Sequence, residues 1–460
     1  MTHSRPEGAP QSGTSSAASS SAFSGAASGR SSPARSRRTR SGGRRPAPDV
    51  VRDLAFDILC GVVEDRRMLE TTLERHPGGD GRDRAAAHRL AATALRHMGT
   101  IGEILQPFLK REPPAPVRCA LILGVAQLLY LDTPPHAAVG TIVDLLRRRG
   151  LAPFTGLANA VLRRVAREGE TLREGLDEAR LDVPPWLWSA WGSRARAITH
   201  GFYREAPLDL TLRPGAEVPQ EGTLLPTGSV RLPPGTRMTG LPGYEEGQFW
   251  AQDAAAAMPV RLMGDLTGQR VADLCAAPGG KTAQLAHAGA AHVTAVEREA
   301  PRAARLRENL ARLGLGNVEV VEGEALSWKP QQPLDAVLLD APCSATGTLR
   351  RHPDVLWNKR PRDVKGLAET QDAFIDAAHE MLKPGGKLLY AVCSLQDEEG
   401  PDRIAKALAS GRWALAPFTP EELASMPEAR TQEGYFRTHP GLWEDRGGMD
   451  GFFAARLVRK

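Results

Sequence analysis

Cysteine is scarce in this chain. There are five thiols in 460 residues (Cys60, Cys119, Cys275, Cys343 and Cys393), odd in number and far apart. That excludes a disulfide scaffold and shows no zinc-ligand spacing, so no metal is expected. A reducing cytoplasm is the natural setting. No apolar run approaches the roughly 18–20 residues of a membrane span. The N-terminus has no apolar core of the length a secretory signal needs. Acidic residues are almost missing from positions 1–48, where eight arginines face Glu7 alone. That segment carries a net +7, while the remaining 51 basic and 53 acidic residues nearly cancel. The sequence pI of about 9.0 therefore describes a tail rather than a body. A basic pI invites a nucleic-acid reading only once the charge has been located.

A hydrophobic fraction of 41% is enough for real cores, and the length suits two to four domains. Residues 1–48 are Ser, Gly, Ala, Pro and Arg with one aromatic, Phe23. Such a segment buries too little apolar area to offset its ordering entropy, so disorder is expected. Its composition also resembles an organelle transit peptide, although a flexible basic extension is the simpler reading. From Val51 the pattern changes. Val51, Leu54, Ala55, Ile58, Leu59, Val62 and Val63 recur at helical spacing. Further amphipathic stretches follow near 85–109, 117–131, 137–149 and 154–167, punctuated by Pro and Gly. Residues 49–168 read as an all-α domain. Residues 169–250 read as a small connecting α+β subdomain, with a short helix at Pro184-Pro185-Trp186 and strands at Leu208–Leu212 and Ser229–Leu232.

Residues 251–460 change rhythm again. Candidate strands at 270–275, 292–297, 318–322, 336–340 and 387–393 alternate with helices at 281–288, 302–313 and 364–382, and a last strand is expected at 452–458. This alternation predicts an α/β domain with a parallel sheet covered on both faces. The run Asp273-Leu-Cys-Ala-Ala-Pro-Gly-Gly-Lys-Thr282 follows the first strand and opens a helix. Ligands of open α/β sheets sit at such a turn, beyond the carboxyl ends of the strands. Gly279 and Gly280 allow close backbone approach. A dinucleotide site needs G-x-G-x-x-G, which is absent. A P-loop needs a glycine where Cys275 stands. S-adenosylmethionine needs no pyrophosphate cradle and remains open. Glu297 ends the second strand, where a carboxylate can bind both ribose hydroxyls.

Cys343 follows the strand that ends at Asp340, and Cys393 follows the next one; both are placed on the ligand-binding rim. A lone Cys is commonly a small core residue, the better reading for Cys60 and Cys119. Two thiols at one rim suit a different chemistry. C5 of cytosine is a poor nucleophile until a thiolate adds to C6. One cysteine can attack and a second can assist release, splitting one hard step into easier ones. Lys281 would favour the thiolate. Asp340 would hold the base's N3/N4 edge, and the base would have to leave its stack.

Cys275-Ala-Ala-Pro-Gly-Gly-Lys281, Asp340-Ala-Pro-Cys-Ser-Ala-Thr-Gly347 and Cys393-Ser394 together resemble the NOP2/Sun family of RNA cytosine-5 methyltransferases. Arg350-Arg-His-Pro-Asp354, Gln252-Asp253 and Asp450-Gly-Phe-Phe453 also look like that family, over about residues 184–460. The helical part resembles the NusB-like RNA-binding domain. This pairing looks like the bacterial branch acting on 16S ribosomal RNA. The resemblance implies a Rossmann-like S-adenosylmethionine-dependent methyltransferase domain behind a NusB-like domain. Cys393 would be the nucleophile and Cys343 would assist release. Asp340 and Lys281 would face the target base. Cys275, Ala276, Ala277, Pro278, Gly279, Gly280, Lys281, Glu297, Glu324 and Asp340 would line the cofactor site. One position departs, with Glu324 standing where the family has Asp. The implied partner is 16S ribosomal RNA, with no membrane and no metal, and a monomer is the simplest assembly. Arg350, Arg351, Lys359, Arg360 and Arg362 would touch phosphate if they border an RNA cleft. Trp186, Trp188 and Trp191 would stack on bases unless they are core. A non-catalytic RNA-binding assembly factor and a P-loop NTPase are the competing readings.

Overall fold

Among the described residues of this computed structural model, 47–76 and 78–460, no strand forms before Leu208. The basic segment expected to be disordered lies, but for its last two residues, outside them. Helices span Val50–Val63, Leu69–Arg75, Gly81–Arg96, Met98–Leu105, Ala115–Leu129, Pro135–Arg148 and Thr155–Glu174. Asp49 and Asp80 cap two of them, their carboxylates accepting from Arg52 N at 3.1 Å and from Arg82 N at 2.8 Å. Leu54, Ile58, Leu59, Leu121, Ile142 and Leu162 meet in one core. The single helix expected over 85–109 breaks at His97, whose φ of −108° leaves the helical region. The apolar periodicity runs straight across this break and conceals it. The break brings Gly99 against Leu181, where a Cβ would lie 1.9 Å from the carbonyl oxygen.

A second, small sheet follows. It comprises β1 (Leu208–Leu212), β2 (Thr223–Leu224), β3 (Val230–Leu232) and β4 (Phe249–Ala251) in the order β2-β3-β1-β4, antiparallel throughout. The boundary expected at 250/251 therefore runs inside a strand. Asp209 on β1 and Arg231 on β3 form a buried two-pronged ion pair, both bonds 2.7 Å. Arg231 also donates to the carbonyls of Arg446 and Gly448, and Asp209 accepts from Ala254 N at 3.0 Å. One ion pair thus ties the small sheet to the chain on either side of the large one.

The large sheet contains β5 (Arg270–Leu274), β6 (His292–Glu297), β7 (Val318–Glu322), β8 (Leu334–Asp340), β9 (Leu382–Val392), β10 (Trp413–Leu415), β11 (Phe436–Thr438) and β12 (Phe452–Arg459). Its order is β10-β12-β9-β8-β5-β6-β7, with β11 paired to β12. Strands β5 to β9 are parallel; β12 is antiparallel to β9 and to its short neighbours. Neighbouring residues of one strand enter different cores. Val271, Leu338 and Leu389 pack with Leu285 of the helix Gly280–His287. Ala272, Leu339 and Tyr390 pack with Phe374 and Ile375 of the helix Pro361–Met381. Burial on both faces explains why these strands read as continuous apolar runs. No helix among the described residues is long and apolar enough to cross a membrane.

The helical region docks on the stretch that follows Cys343. Arg96 Nη2 donates to Arg350 O at 2.6 Å, and Trp357 Nε1 to Leu95 O at 2.9 Å. Leu69 N donates to Asp354 Oδ2 at 3.1 Å, and Arg66 pairs with Asp363 at 2.7 Å.

Removing one partner of a buried ion pair leaves an uncompensated charge, a loss of about 3–5 kcal/mol. Asp209→Ala is accordingly expected to lower the urea midpoint of unfolding at unchanged slope. A loss below about 1 kcal/mol would show instead that water reaches and screens Arg231.

Candidate active site

The turn after β5 is built on strained backbone. Cys275 sits at φ +66°, the left-handed region that L-residues seldom adopt. Gly279 lies at φ +107°, and a Cβ there would come within 2.6 Å of Leu306 Cδ1. Glycine is therefore required on both counts. The helix Gly280–His287 starts immediately after it. Glu297, buried at the end of β6, accepts from Ala277 N at 3.3 Å and Glu299 N at 3.0 Å, with Arg302 at 3.6 Å. Between β5, β6 and β8 lies a cavity of about 280 Å³ lined by Cys275, Glu297, Arg302, Glu324, Pro342 and Phe374. Glu324 stands at its mouth, 3.7 Å from Arg298. Ala276, Ala277 and Gly279 are buried in the turn, and Pro278 is exposed.

Lys281 and Asp340 face each other across the next strand end, Nζ to Oδ2 at 2.8 Å. The ammonium also lies 5.0 Å from the centre of the Phe452 ring. Burial pulls the Lys281 pKa down, but the Asp340 charge and hydrogen bond outweigh it, with Cys393 and Asp273 adding to the effect. The net shift is upward, so Lys281 is a fixed cation at neutral pH. Asp273, beneath the turn, is pushed up to about 7 by burial; the Thr282 hydroxyl hydrogen bond opposes this, and the Asp340 charge adds to it. Its Oδ1 is buried without a partner.

Cys343 and Cys393 lie with their Sγ atoms 3.4 Å apart. Parallel pairing of β8 with β9 brings the two loops side by side. Asp340 is in register with Ala391, Ala341 N donates to Ala391 O at 2.9 Å, and Gly347 N donates to Cys393 O at 3.0 Å. Gly347 lies against Gly451, where a Cβ would be 1.9 Å from a carbonyl oxygen. The Cys343 thiol is held well above its usual range, first by its hydrogen bond to Cys393 and then by burial. Burial, with the charges of Asp340, Asp273 and Glu297, pushes Cys275 up to about 12. Two thiols in contact beside a buried ammonium suit nucleophilic addition and its reversal.

Several expectations change on the structure. Arg350 is fully buried; it donates to Gly447 O at 2.7 Å and lies 3.9 Å from Asp253, so it is a structural cation. Arg351 Nε donates to Asp450 at 2.9 Å. Arg350 is thereby removed from any phosphate contact; Arg351, though paired, is exposed, as are Arg360 and Arg362, and Lys359 is half-buried. Trp191 is core and donates to Gln396 Oε1 at 2.9 Å. Trp188 is half-buried under the guanidinium groups of Arg180 and Arg196. Gln252 and Asp253 serve packing, bonding Trp250, Gln284 and the Asp450 backbone. Two residues were missed. Phe452 was read as part of a strand and of the Asp450–Phe453 motif, with no contact to Lys281 expected. Glu399 sits in Asp397-Glu398-Glu399, which reads as a solvated acidic run, yet it is completely buried.

Comparison with known proteins agrees with this geometry. Residues 262–458 match the model of the 16S rRNA methyltransferase RsmB/F family, and residues 49–167 match the NusB family. Ribosomal RNA small subunit methyltransferase B of Cronobacter sakazakii is 34% identical over 437 residues, 89% of this chain and 99% of that relative. The chain belongs to the RsmB/F family. Its Pseudomonas putida relative, of the same name, is 35% identical over 87% of this chain and 96% of its own length. The crystal structure of PH0851 shares the fold, with a TM-score of 0.69 at 22% identity over 90% of this chain and 99% of that one. Membership in RsmB/F makes the chain an S-adenosylmethionine-dependent methyltransferase of small-subunit ribosomal RNA, with a NusB-like domain ahead of the α/β domain.

A thiol moved from 9.0 to about 12 loses roughly a thousandfold of its thiolate at pH 8, and higher intrinsic nucleophilicity restores only part of it. Cys275 should therefore react with iodoacetamide about 50-fold more slowly than an unstructured cysteine, read by mass spectrometry of the native protein. Reaction at the rate of a free cysteine would show the thiol to be neither buried nor in this field.

Proposed function

We propose that the enzyme methylates C5 of a cytosine in 16S ribosomal RNA through a covalent adduct between Cys393 and C6. The observation that carries this reading is the 3.4 Å approach of the two thiols beside the Lys281–Asp340 pair. A methyl group transferred to oxygen or to an exocyclic nitrogen needs no thiol; two thiols at one strand end need an acceptor that must be activated by addition. The cavity between β5, β6 and β8 suits a nucleoside, with Glu297 toward the ribose and Glu324 toward the adenine. The turn from Cys275 to Lys281 and the carboxylates of Asp340 and Asp273 would meet the amino-acid end. The orphaned Asp273 Oδ1 is an acceptor of the kind an ammonium needs. Bound there, S-adenosylmethionine supplies an electrophilic methyl group on sulfonium.

The protein's own part follows from the contact between the thiols. Lys281 favours the thiolate on Cys393, leaving the proton on Cys343. Addition of Cys393 to C6 breaks the aromatic system and makes C5 nucleophilic. Asp340, anchored by Lys281, accepts from the base's exocyclic N4 amine. Once Cys393 is a thioether it neither hydrogen-bonds to Cys343 nor repels its ionisation. The largest cause of Cys343's raised pKa is then gone. Cys343 passes its proton to solvent and, as a thiolate, takes the proton from C5; the C5–H electrons reform the C5–C6 double bond, and Cys393 leaves C6 as a thiolate, restoring aromaticity. A base inside structured RNA must be unstacked to reach this pocket, at a cost of a few kcal/mol.

Methyl transfer to unmodified small-subunit RNA, with 5-methylcytosine read by mass spectrometry, tests the proposal. Cys393→Ala is expected to abolish transfer. Cys343→Ala is expected to accumulate a denaturation-resistant protein–RNA adduct at the expense of turnover. Full activity in Cys393→Ala, or normal turnover without an adduct in Cys343→Ala, would sink the mechanism. A methylated product other than 5-methylcytosine would move the site to a different base chemistry.

A further inference from the structure

Glu399 is a completely buried carboxylate distant in sequence from the glycine turn and absent from the cavity lining. Its partners single it out. Oε1 accepts from Ser344 N at 2.8 Å and from Gln371 Nε2 at 3.1 Å. Oε2 accepts from Ser394 Oγ at 2.5 Å and from the Ser344 hydroxyl. Ser344 directly follows Cys343, and Ser394 directly follows Cys393. Gln371 Nε2 also donates to Pro342 O at 2.9 Å, the residue before Cys343. Every side-chain partner of this carboxylate is thus a chain neighbour of one of the thiols or a residue that holds one. Its own backbone is held in turn, Tyr390 Oη donating to Glu399 O at 2.6 Å.

We propose that Glu399 is a positioning residue that sets the separation of Cys343 and Cys393 by clamping Ser344 and Ser394 to one carboxylate. The inference rests on the two-thiol reading above. The loops that carry the thiols come from different strands, and sheet register alone fixes them only up to Ala341 and Val392. Past that point the backbone leaves the ladder, and one backbone bond, Gly347 N to Cys393 O at 3.0 Å, joins the two loops. The clamp adds a second tie, through the residues that directly follow the thiols. A hydroxyl has one proton to give, and an ionised carboxylate accepts but does not donate, so both serine protons point at Glu399. Thr346 completes the arrangement: its Oγ1 accepts from Leu395 N at 3.0 Å and lies 3.3 Å from each serine oxygen. Bonds to an ionised acceptor are roughly twice as strong as neutral ones, which suits a fixed geometry more than a generic buried contact. The carboxylate also carries its charge to Cys343. After the Cys393 hydrogen bond, burial and the Cys393 charge, it is a further cause of that thiol's reluctance to ionise.

The test compares Glu399→Gln, which keeps the size and loses the charge and one acceptor, with the double variant Ser344→Ala/Ser394→Ala, which keeps the carboxylate and removes the clamp. Two readouts are needed. The first is steady-state methyl transfer to small-subunit RNA. Both variants are expected to lose at least tenfold in kcat while KM for RNA and for S-adenosylmethionine stays within twofold. The second is chemistry-independent: phenylarsine oxide, which bridges two adjacent thiols, is expected to bind each variant at least tenfold more weakly than the parent. Combining the substitutions should add less than threefold to either loss, because both remove the same clamp. If Glu399→Gln does not fold, the serine pair carries the test alone. Parent-like kcat together with parent-like arsenical affinity in either folded variant overturns the clamp. So does an equal rise in both KM values at unchanged kcat. A parent enzyme that binds the arsenical yet makes no 5-methylcytosine would leave the clamp standing and overturn the functional reading instead.

Discussion

The parallel pairing of β8 with β9 is the constraint on which the rest of the site depends. Neighbouring strands of a sheet lie about 4.8 Å apart. Residues just beyond two aligned carboxyl ends are therefore neighbours however far apart they are in sequence. Cys343 and Cys393 are fifty positions apart and come within reach of each other because Asp340 is opposite Ala391. A parallel pair cannot be joined by a tight turn and needs a long crossover. The chain between the two thiols supplies it through the helix Pro361–Met381, whose Phe374 and Ile375 fill one face of the sheet. The same crossover contains the stretch on which the helical domain docks.

Charge in the site is arranged around one buried ammonium. Lys281 meets the carboxylate of Asp340, the face of an aromatic ring and the field of a thiol. A buried lysine alone would tend to neutralise, and here its surroundings reverse that tendency. Asp273 and Cys275 lie on the other side of the balance. Both are held toward their neutral forms by burial, and too many carboxylates share the space for all to ionise freely. The site therefore keeps its positive charge on Lys281 and withholds negative charge from Asp273 and Cys275.

Legibility in the sequence followed burial pattern and locality. The centre of β8 and the second half of β9 were readable because both faces are covered and the residues run apolar without interruption, whereas β7, with no buried residue, was readable from its valines between glutamates. The all-helical region was readable because Leu54, Ile58, Leu59 and Val62 repeat at helical spacing. The glycine turn and the two thiols were readable because each sits at a strand end. Features that depend on distant partners were not. His97 breaks a helix whose apolar pattern continues, and β10 and β11 are three-residue strands defined only by pairing with β12. Arg350 and Arg351 read as a basic edge, but Gly447, Asp253 and Asp450, about a hundred positions away in either direction, turn one into a core cation and the other into an ion pair. Glu399 was hidden in an acidic run for the same reason.

The docking of the helical domain onto residues 350–363 bears on how the molecule melts. Leu349, Val355 and Leu356 are buried against Val183, Leu187 and Trp191, while Trp357 packs into the helical core and donates to Leu95 O. These side chains leave the Cys343 motif in one direction and enter two different cores in the other. Such a shared stretch has no stable conformation of its own when either neighbour is lost, since its apolar side chains would face water. Cooperative units are drawn by shared contacts of this kind more than by domain boundaries in the sequence. The helical and catalytic halves are therefore joined through a stretch whose apolar side chains complete a core on each side.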